Sequence, residues 1–329
     1  MGFRDIRATI KRTKIGYYAK NILRQFVPTL IYQSALSQKL SALKKYDGAY
    51  IADRVNYYNK LNQHTQLGDK GIALKDVAIF GKFKTYKFDT FEYTRYFKRS
   101  LKIKFLNGDV NHIEPLPTIQ KSRPLFPGNT PPDNTNAVLL KLDKKRHFVF
   151  VKDRVPFAEK KDMLIGRGAM TQPHRIRFME QFFDNPICDL GQVNKVGGNP
   201  LWVKPKISIP KHLEYKFILS LEGNDVATNL KWVMSSNSIA VMAQPRYETW
   251  FMEGRLVPDY HYILIKDDYS DLEEKLHYYI NHPQKAQAIV NNANAYIQQF
   301  LNKKQEDLIA LLVLEKYFYY TSQIAERSI

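Results

Sequence analysis

YKFILSLEGNDVATNLKWVMSSNSIAVMA, residues 215–243, reads as a strand, a polar loop, a helix and a second strand. Tyr215 to Leu221 is apolar and β-prone, and Glu222-Gly223-Asn224-Asp225 breaks it. Ala227 to Ser236 has helical spacing, and Ile239 to Ala243 is again an apolar run of strand length. Two parallel strands need a crossover of this kind, so the stretch is a βαβ unit with its polar loop at the carboxyl end of the first strand. Upstream, Asp162-Met163-Leu164-Ile165 predicts a buried strand, Gly166-Arg167-Gly168 a tight loop, and Pro173 to Phe183 a helix with proline in its first turn. Downstream, Tyr260 to Lys266 predicts another strand, and Ser270-Asp271-Leu272-Glu273 a capping box opening a helix to about Asn281. Pro283 starts the next helix, with Ile289, Ala293, Tyr296 and Phe300 on one face. Strands alternating with helices predict an α/β lobe with a parallel sheet covered on both faces.

The first half reads differently. From Phe80 to Asp109, aromatic or β-branched residues alternate with lysine, as in Lys82-Phe83-Lys84-Thr85-Tyr86-Lys87-Phe88 and Leu101-Lys102-Ile103-Lys104-Phe105. Such alternation predicts strands, the second ending at the Asn107-Gly108-Asp109 turn. Between Pro115 and Asn136 stand Pro115, Pro117, Pro124, Pro127, Pro131 and Pro132, which predicts a loop. His147 to Val151 is apolar and β-prone. At 329 residues the chain exceeds the roughly 250 to 300 at which one core stops growing, so two lobes are expected. Residues 152–160 are the expected linker, because the charge balance changes there.

Residues 1–150 hold 28 Lys and Arg against 11 Asp and Glu, whereas residues 151–329 hold 22 against 21. Nearly all of the net charge of +18 therefore lies in the first half. A field of that sign attracts phosphate-rich surfaces, whether nucleic acid or anionic lipid. Residues 1–25 carry seven Lys or Arg and one Asp, with Phe3, Ile6, Ile10, Tyr17, Tyr18 and Ile22 at loosely helical spacing. They predict either a basic amphipathic helix on a membrane surface or a helix packed on the first lobe. The longest apolar run, Leu308 to Leu314, falls far short of the ~20 residues that span a bilayer. Charges throughout residues 1–12, with no apolar stretch after them, do not read as a signal peptide, so cytoplasmic residence is expected. The lone Cys188 agrees with a reducing compartment and reads as a small buried residue.

Ligands of open parallel sheets sit outside the carboxyl ends of the strands. Two polar loops have that placement. Gly166-Arg167-Gly168 would let backbone approach a phosphate while Arg167 supplies a fork of donors, although such triplets also occur as ordinary turns. Glu222-Gly223-Asn224-Asp225 offers acceptors for ribose hydroxyls. Asp109 closes a strand and is a candidate base, His112 is a rival, and Asn-Gly-Asp is also a common turn. No metal-ligand spacing, P-loop or nucleophile elbow is present in the sequence. The acidic run Asp267 to Asp271 reads as helix-start chemistry rather than a metal site.

The stretch from Glu222 to Phe300, with EGNDVATNLKWVMSSNSIAVM and then YETWFMEGRLVPDYHYILIKDDYSDLEEKLHYYI, resembles glycosyltransferase family 90. Residues 108–124 (GDVNHIEPLPTIQKSRP) and 162–175 (DMLIGRGAMTQPHR) are similar to its bacterial lipopolysaccharide and capsule branch, and the likeness covers roughly residues 50 to 300. The resemblance implies a GT-B-like fold of two Rossmann-type lobes facing a central cleft. Residues 1–155 would form a basic acceptor-side lobe and residues 156–299 the donor lobe. Residues 300–329 would be a C-terminal helix that could pack back on the first lobe.

It also implies inverting transfer of a hexose from a UDP-sugar to a hydroxyl of a membrane-anchored glycan, a lipopolysaccharide core above all, with no metal or other cofactor. The protein would work peripherally at the cytoplasmic face of the membrane. Asp109 matches the family's catalytic aspartate. Arg167, Gly168, Arg175, Glu222, Gly223, Asn224, Asp225, Asn229, Lys231 and Glu248 fall on its donor-binding region, although many eukaryotic members have Arg where Asn229 stands. His112, Lys121 and Arg123 would serve the acceptor or phosphate side. The alternatives are a basic nucleic-acid-binding protein, suggested by the 21 Tyr and 19 Phe amid basic charge, and a nucleotide-binding relative without transfer activity. The aromatics sit mostly at core spacing, which disfavours a nucleic-acid partner.

Overall fold

The computed structural model describes residues 15–79, 81–126 and 133–329, which form two compact units. The second unit comprises residues 148–245 and 253–299. It is built on five strands, Lys161–Gly168, Cys188–Gln192, Tyr215–Leu219, Ile239–Met242 and Ile263–Leu264, all parallel. Numbered in chain order, they lie side by side as 2-1-3-4-5. Leu164 stands opposite both Cys188 and Phe217, Ile218 opposite Ala240, and Val241 opposite Ile263. The order reverses between the first and third strands, so their carboxyl ends flank a topological switch point.

The central strands are apolar at successive positions because both faces are covered. Leu164, Phe217, Val241 and Ile263 are fully buried. Against them pack Phe178 and Met179 of the Pro173–Phe182 helix, Leu272 and Leu276 of Leu272–Asn281, and Ala286 and Ile289 of Pro283–Gln298. Each such leucine, isoleucine, methionine or phenylalanine side chain contributes about 1.5–3 kcal/mol on burial.

Local details depart from the expectations. The first strand runs on through Gly166-Arg167-Gly168, so the triplet is a strand end and not a loop. A Cβ on Gly166 would lie 3.0 Å from Cδ2 of both Leu190 and Leu219, and glycine there lets neighbouring strands close up. The helix expected over 227–236 is confined to Leu230–Met234, and the strand expected over 260–266 to Ile263–Leu264. No capping box forms at Ser270: Asp271 takes the N-cap position, but its Oδ1 accepts from the Lys266 amide at 2.9 Å instead.

The first unit comprises the described residues up to His147, with Arg246–Met252 and Phe300–Ile329 returning to it. Its centre is the helix Lys303–Tyr320, buried continuously from Leu308 to Phe318 and packed on Gly48–Tyr58 and Lys84–Thr94. Around it lie three short strand pairs: Ile72–Ala73 with Lys102–Ile103, Ser122–Pro124 with Tyr247–Thr249, and Thr118–Gln120 with Ala137–Leu139. Glu306, 3% exposed, accepts from Arg54 Nη2 at 2.7 Å, Lys141 Nζ at 3.0 Å and Trp250 Nε1 at 2.7 Å. The Trp250 ring in turn stacks on Tyr58 at 3.8 Å. These contacts fasten the returning segment Arg246–Met252 to this unit.

The alternating run at 82–88 is not a strand. Residues 84–94 are helical, because Tyr86, Thr90 and Tyr93 also fit a helical period and the buried polar Asp89 and Glu92 find half-buried partners in Tyr17 and Lys144. Residues 148–151, expected as a strand, carry no regular structure. The proline-rich stretch holds the short strands Thr118–Gln120 and Ser122–Pro124, and residues 127–132 lie outside the described residues. The chain passes from one unit to the next after His147 rather than near 155, since the Val151 amide already donates to Ser235 Oγ at 2.9 Å. Of the expected N-terminal helix, residues 1–14 lie outside the described residues and residues 15–23 are helical. Among the described residues no helix is long and apolar enough to cross a membrane.

Candidate active site

A cavity of about 360 Å³ opens at the switch point of the second unit. Gly166, Arg167 and Gly168 line it from the end of the first strand, Leu219 and Leu221 from the end of the third, and Asn229 and Trp232 from the short helix that follows. This is where physical reasoning places a ligand of a doubly wound sheet, and the site is built around one guanidinium.

Arg175 stands in the first turn of the Pro173–Phe182 helix and reaches back across both strand ends. Its Nε donates to the Glu222 carbonyl at 2.7 Å, Nη2 to the Leu221 carbonyl at 2.8 Å and Nη1 to the Ala169 carbonyl at 3.1 Å. No carboxylate pairs with it among the described residues, and burial lowers its pKa. Three of its five N–H groups are used, which leaves two for a ligand. The glycines of both loops make room for it: a Cβ on Gly223 would lie 3.4 Å from Nη2, and one on Gly168 3.7 Å from Nη1.

Arg167 also lines the cavity but is already neutralised. Its Nη2 pairs with Asp189 Oδ1 at 2.7 Å, and Nη1 donates to the Asp189 and Gly166 carbonyls. Burial would raise the Asp189 carboxyl, yet Arg167, the Tyr215 hydroxyl at 2.8 Å and Lys204 at 3.3 Å hold it below the usual range. The remaining wall is apolar and aromatic. His212 and Trp232 meet edge to face at 5.5 Å, and His212 Nδ1 lies 3.0 Å from the Ser208 carbonyl. That bond requires the proton on Nδ1, which leaves Nε2 as an acceptor. Burial pushes the His212 pKa down, favouring the neutral ring.

The other expected donor residues are dispersed. Asn229 lines the cavity and donates from Nδ2 to the Leu219 carbonyl at 2.9 Å. Glu222 contributes its carbonyl to Arg175, Gly223 its amide to the Asp225 carbonyl at 2.9 Å, and Asn224 Oδ1 accepts from Gln172 at 2.5 Å. Asp225 is buried and does not line the cavity. Lys231, expected on the diphosphate, is fully buried in an ion pair with Glu253, because the short helix turns Asn229 and Trp232 to the cavity instead. Glu248 belongs to the first unit, on Tyr247–Thr249, where it accepts from Arg123 Nε at 2.7 Å and from the Tyr57 hydroxyl. Asp189, His212 and Trp232 escaped the sequence reading. Only Asp189 left a signal there, as an acid inside an apolar strand.

The first unit carries a separate cluster. Asp109 Oδ1 accepts from Lys121 Nζ at 2.5 Å and from Arg146 Nη2 at 2.8 Å. Burial would raise its carboxyl, but the two cations hold it below the ordinary range, so it is ionised at neutral pH. Lys121, 1% exposed, also lies 3.3 Å from His147 Nε2. His112 is more than half exposed and lies 3.3 Å from Glu114. Arg123, expected on the acceptor side, is fully buried and spends its donors on Glu248 and the carbonyls of Tyr57 and Ala137, a structural role.

The sequence model of Glycosyl transferase family 90 matches residues 143–319. The chain is also 41% identical over 310 residues to O-glucosyltransferase LpsA of Dichelobacter nodosus, covering 93% of this chain and 95% of that protein. This chain belongs to glycosyl transferase family 90. The span matched by the family model contains every residue lining the switch-point cavity, while Asp109, Lys121 and Arg123 precede it. As a family 90 member the protein is a glycosyltransferase, with the α/β parallel sheet as its described framework.

Proposed function

We propose that this family 90 protein transfers a hexose from a UDP-sugar to a hydroxyl of a membrane-anchored glycan, a lipopolysaccharide core in particular, with inversion at the anomeric carbon. The observation that carries the donor half is Arg175, a half-buried guanidinium without an ion-pair partner among the described residues at the switch point. A diphosphate supplies the counter-charge it lacks and accepts its two remaining N–H groups. The apolar wall at Trp232 suits a planar base. The relative's name, O-glucosyltransferase, supports glucose as the sugar. We place the donor in the second unit of a GT-B-like pair of lobes, and the acceptor with the basic first.

In the proposed step the acceptor hydroxyl attacks the anomeric carbon and gives its proton to Asp109. The bond from that carbon to the diphosphate oxygen breaks, and its electron pair leaves on UDP. Arg175 meets the charge that develops there, in place of a metal ion. UDP or UDP-glucose is expected to raise the melting temperature with increasing concentration, by about 2.7 kcal/mol of stability at a hundredfold excess over Kd. A shift with oligonucleotides and none with any UDP-sugar would favour a nucleic-acid partner instead.

The membrane side of the proposal rests on the N-terminal helices. Ile22, Leu23, Phe26, Leu30 and Ile31 are exposed there, whereas Tyr32 packs on Tyr96 and Gln33 donates to the Phe97 carbonyl. Exposed apolar side chains among lysines and arginines are what an anionic interface accepts. Phe26→Glu with Leu30→Glu should weaken co-sedimentation with phosphatidylglycerol vesicles and leave transfer to a soluble acceptor unchanged. Equal sedimentation of variant and parent at low ionic strength would remove the peripheral role.

A further inference from the structure

A second cavity, about 190 Å³, lies in the first unit, bounded by the N-terminal helices, the end of the Lys84–Thr94 helix and the start of Lys303–Tyr320. Lys20, Arg24, Lys39, Arg95 and Lys303 line it, against the carboxylates Glu92 and Asp307. Both carboxylates are already engaged. Glu92 is held by Arg24 and Lys144, each at 2.6 Å, and Asp307 by Lys303 at 2.5 Å and the Tyr93 hydroxyl at 3.1 Å. Lys20, Lys39 and Arg95 are left without an ion-pair partner among the described residues.

Arg95 is the decisive member. It is 7% exposed, and neither Nε nor Nη1 has a hydrogen-bond partner among the described residues. Its guanidinium rests over the Tyr32 ring at 3.8 Å and the Tyr96 ring at 5.4 Å. Ring faces attract a cation but carry no net charge to neutralise it. Arg95 also occupies the C-cap of Lys84–Thr94, where the helix dipole favours a cation, yet the dipole supplies no acceptor for the side-chain N–H groups. A buried cation in a cavity with surplus positive charge calls for an anion.

We propose that this cavity binds a phosphoryl group. A phosphate monoester carries close to two negative charges and three acceptor oxygens at neutral pH, so it can meet Arg95, Lys20 and Lys39 together, which a single carboxylate cannot. The same chemistry comes from a lipid headgroup or from a small soluble phosphate. Lys20 and Arg24 share their helical stretch with the exposed Ile22, Leu23 and Phe26. The site is independent of the donor cavity, which lies wholly in the second unit.

The test compares the parent protein with Arg95→Met and, separately, Lys39→Ala, at constant ionic strength and with UDP present to occupy the other cavity. The probes are inorganic phosphate, a hexose phosphate, and vesicles of phosphatidic acid against phosphatidylcholine. The parent should bind at least one phosphate probe, and Arg95→Met should weaken that binding by about tenfold or more, the loss of a hydrogen bond to a charged group. Without ligand, Arg95→Met should melt no lower than the parent, because it removes an uncompensated buried charge. Lys39 is exposed, so its variant keeps the fold and should still lose affinity, which preserves the test if Arg95→Met does not fold. Binding to phosphatidic acid vesicles alone identifies a lipid phosphate, and binding to the hexose phosphate identifies a soluble one. No response to any probe, or parental affinity in the variants that fold, overturns the site.

Discussion

Asp109→Asn is expected to slow glycosyl transfer by about 10²- to 10⁴-fold while UDP-sugar binding stays as in the parent. Asparagine keeps the size and hydrogen-bonding capacity of the side chain but cannot take the acceptor proton. The proposed donor site is made of residues of the second unit, so donor binding should not respond. Lys121 and Arg146 hold the Asp109 carboxyl below the ordinary range, so the proposed base is ionised at neutral pH and transfer should persist on acidification well into that range. The sign is fixed by the direction of the shift: a depressed carboxyl is lost only as pH falls through its lowered pKa. Lys121→Met removes one of the two cations, so burial is less opposed and the acid limb of kcat/KM against pH should move upward. His112→Ala should leave both turnover and this limb in place, because His112 is exposed and contacts Glu114. Near-parental turnover in Asp109→Asn, with loss in His112→Ala, would transfer the role of base to His112.

The parallel sheet was legible because its strands are buried on both faces and must be apolar at successive positions, as Tyr215 to Leu219 and Ile239 to Met242 are. Helix-start prolines at 173 and 283 marked two helices correctly. The first unit resisted the same reading for a physical reason. Lys84 to Thr94 buries Asp89 and Glu92 beside Tyr86 and Tyr93, so its polar positions do not mark a solvent face, and the short alternation at 82–88 imitates a strand. The order 2-1-3-4-5 was not written in any one segment. It depends on which strands pair, a long-range property of the whole sheet.

The candidate site was legible in its loops and not in its pairings. The sequence placed polar residues after the first and third strands, and both ends do line one cavity. It could not distinguish Arg167 from Arg175, because the difference lies in Asp189, 22 residues beyond Arg167 and on the adjacent strand. Lys231 and Arg123 looked available for phosphate for the same reason. Their carboxylates, Glu253 and Glu248, become partners only through the fold.

That difference between the two arginines sets the second large effect. Arg175→Ala is expected to weaken UDP-sugar binding by about 10- to 150-fold, the range of 1.5–3 kcal/mol for hydrogen bonds to a charged group. Arg167→Ala should cost less, because Asp189 already neutralises that guanidinium and Lys204 remains beside the carboxylate to balance it. Loss of Arg175 also leaves the carbonyls of Ala169 and Leu221 without their side-chain donor, while the Glu222 carbonyl keeps His174 Nε2 at 2.9 Å, so the melting temperature of the ligand-free protein should fall as well. Affinity must therefore be read by calorimetry well below that transition. Arg175→Lys separates charge from geometry: it keeps the positive charge but has lost the planar fork that spans both strand ends, and should bind with intermediate affinity. The ranking fails if Arg167→Ala weakens binding more than Arg175→Ala does. In that case the Asp189 pair must open to admit the diphosphate, and Asp189→Asn, which frees Arg167, would then tighten donor binding.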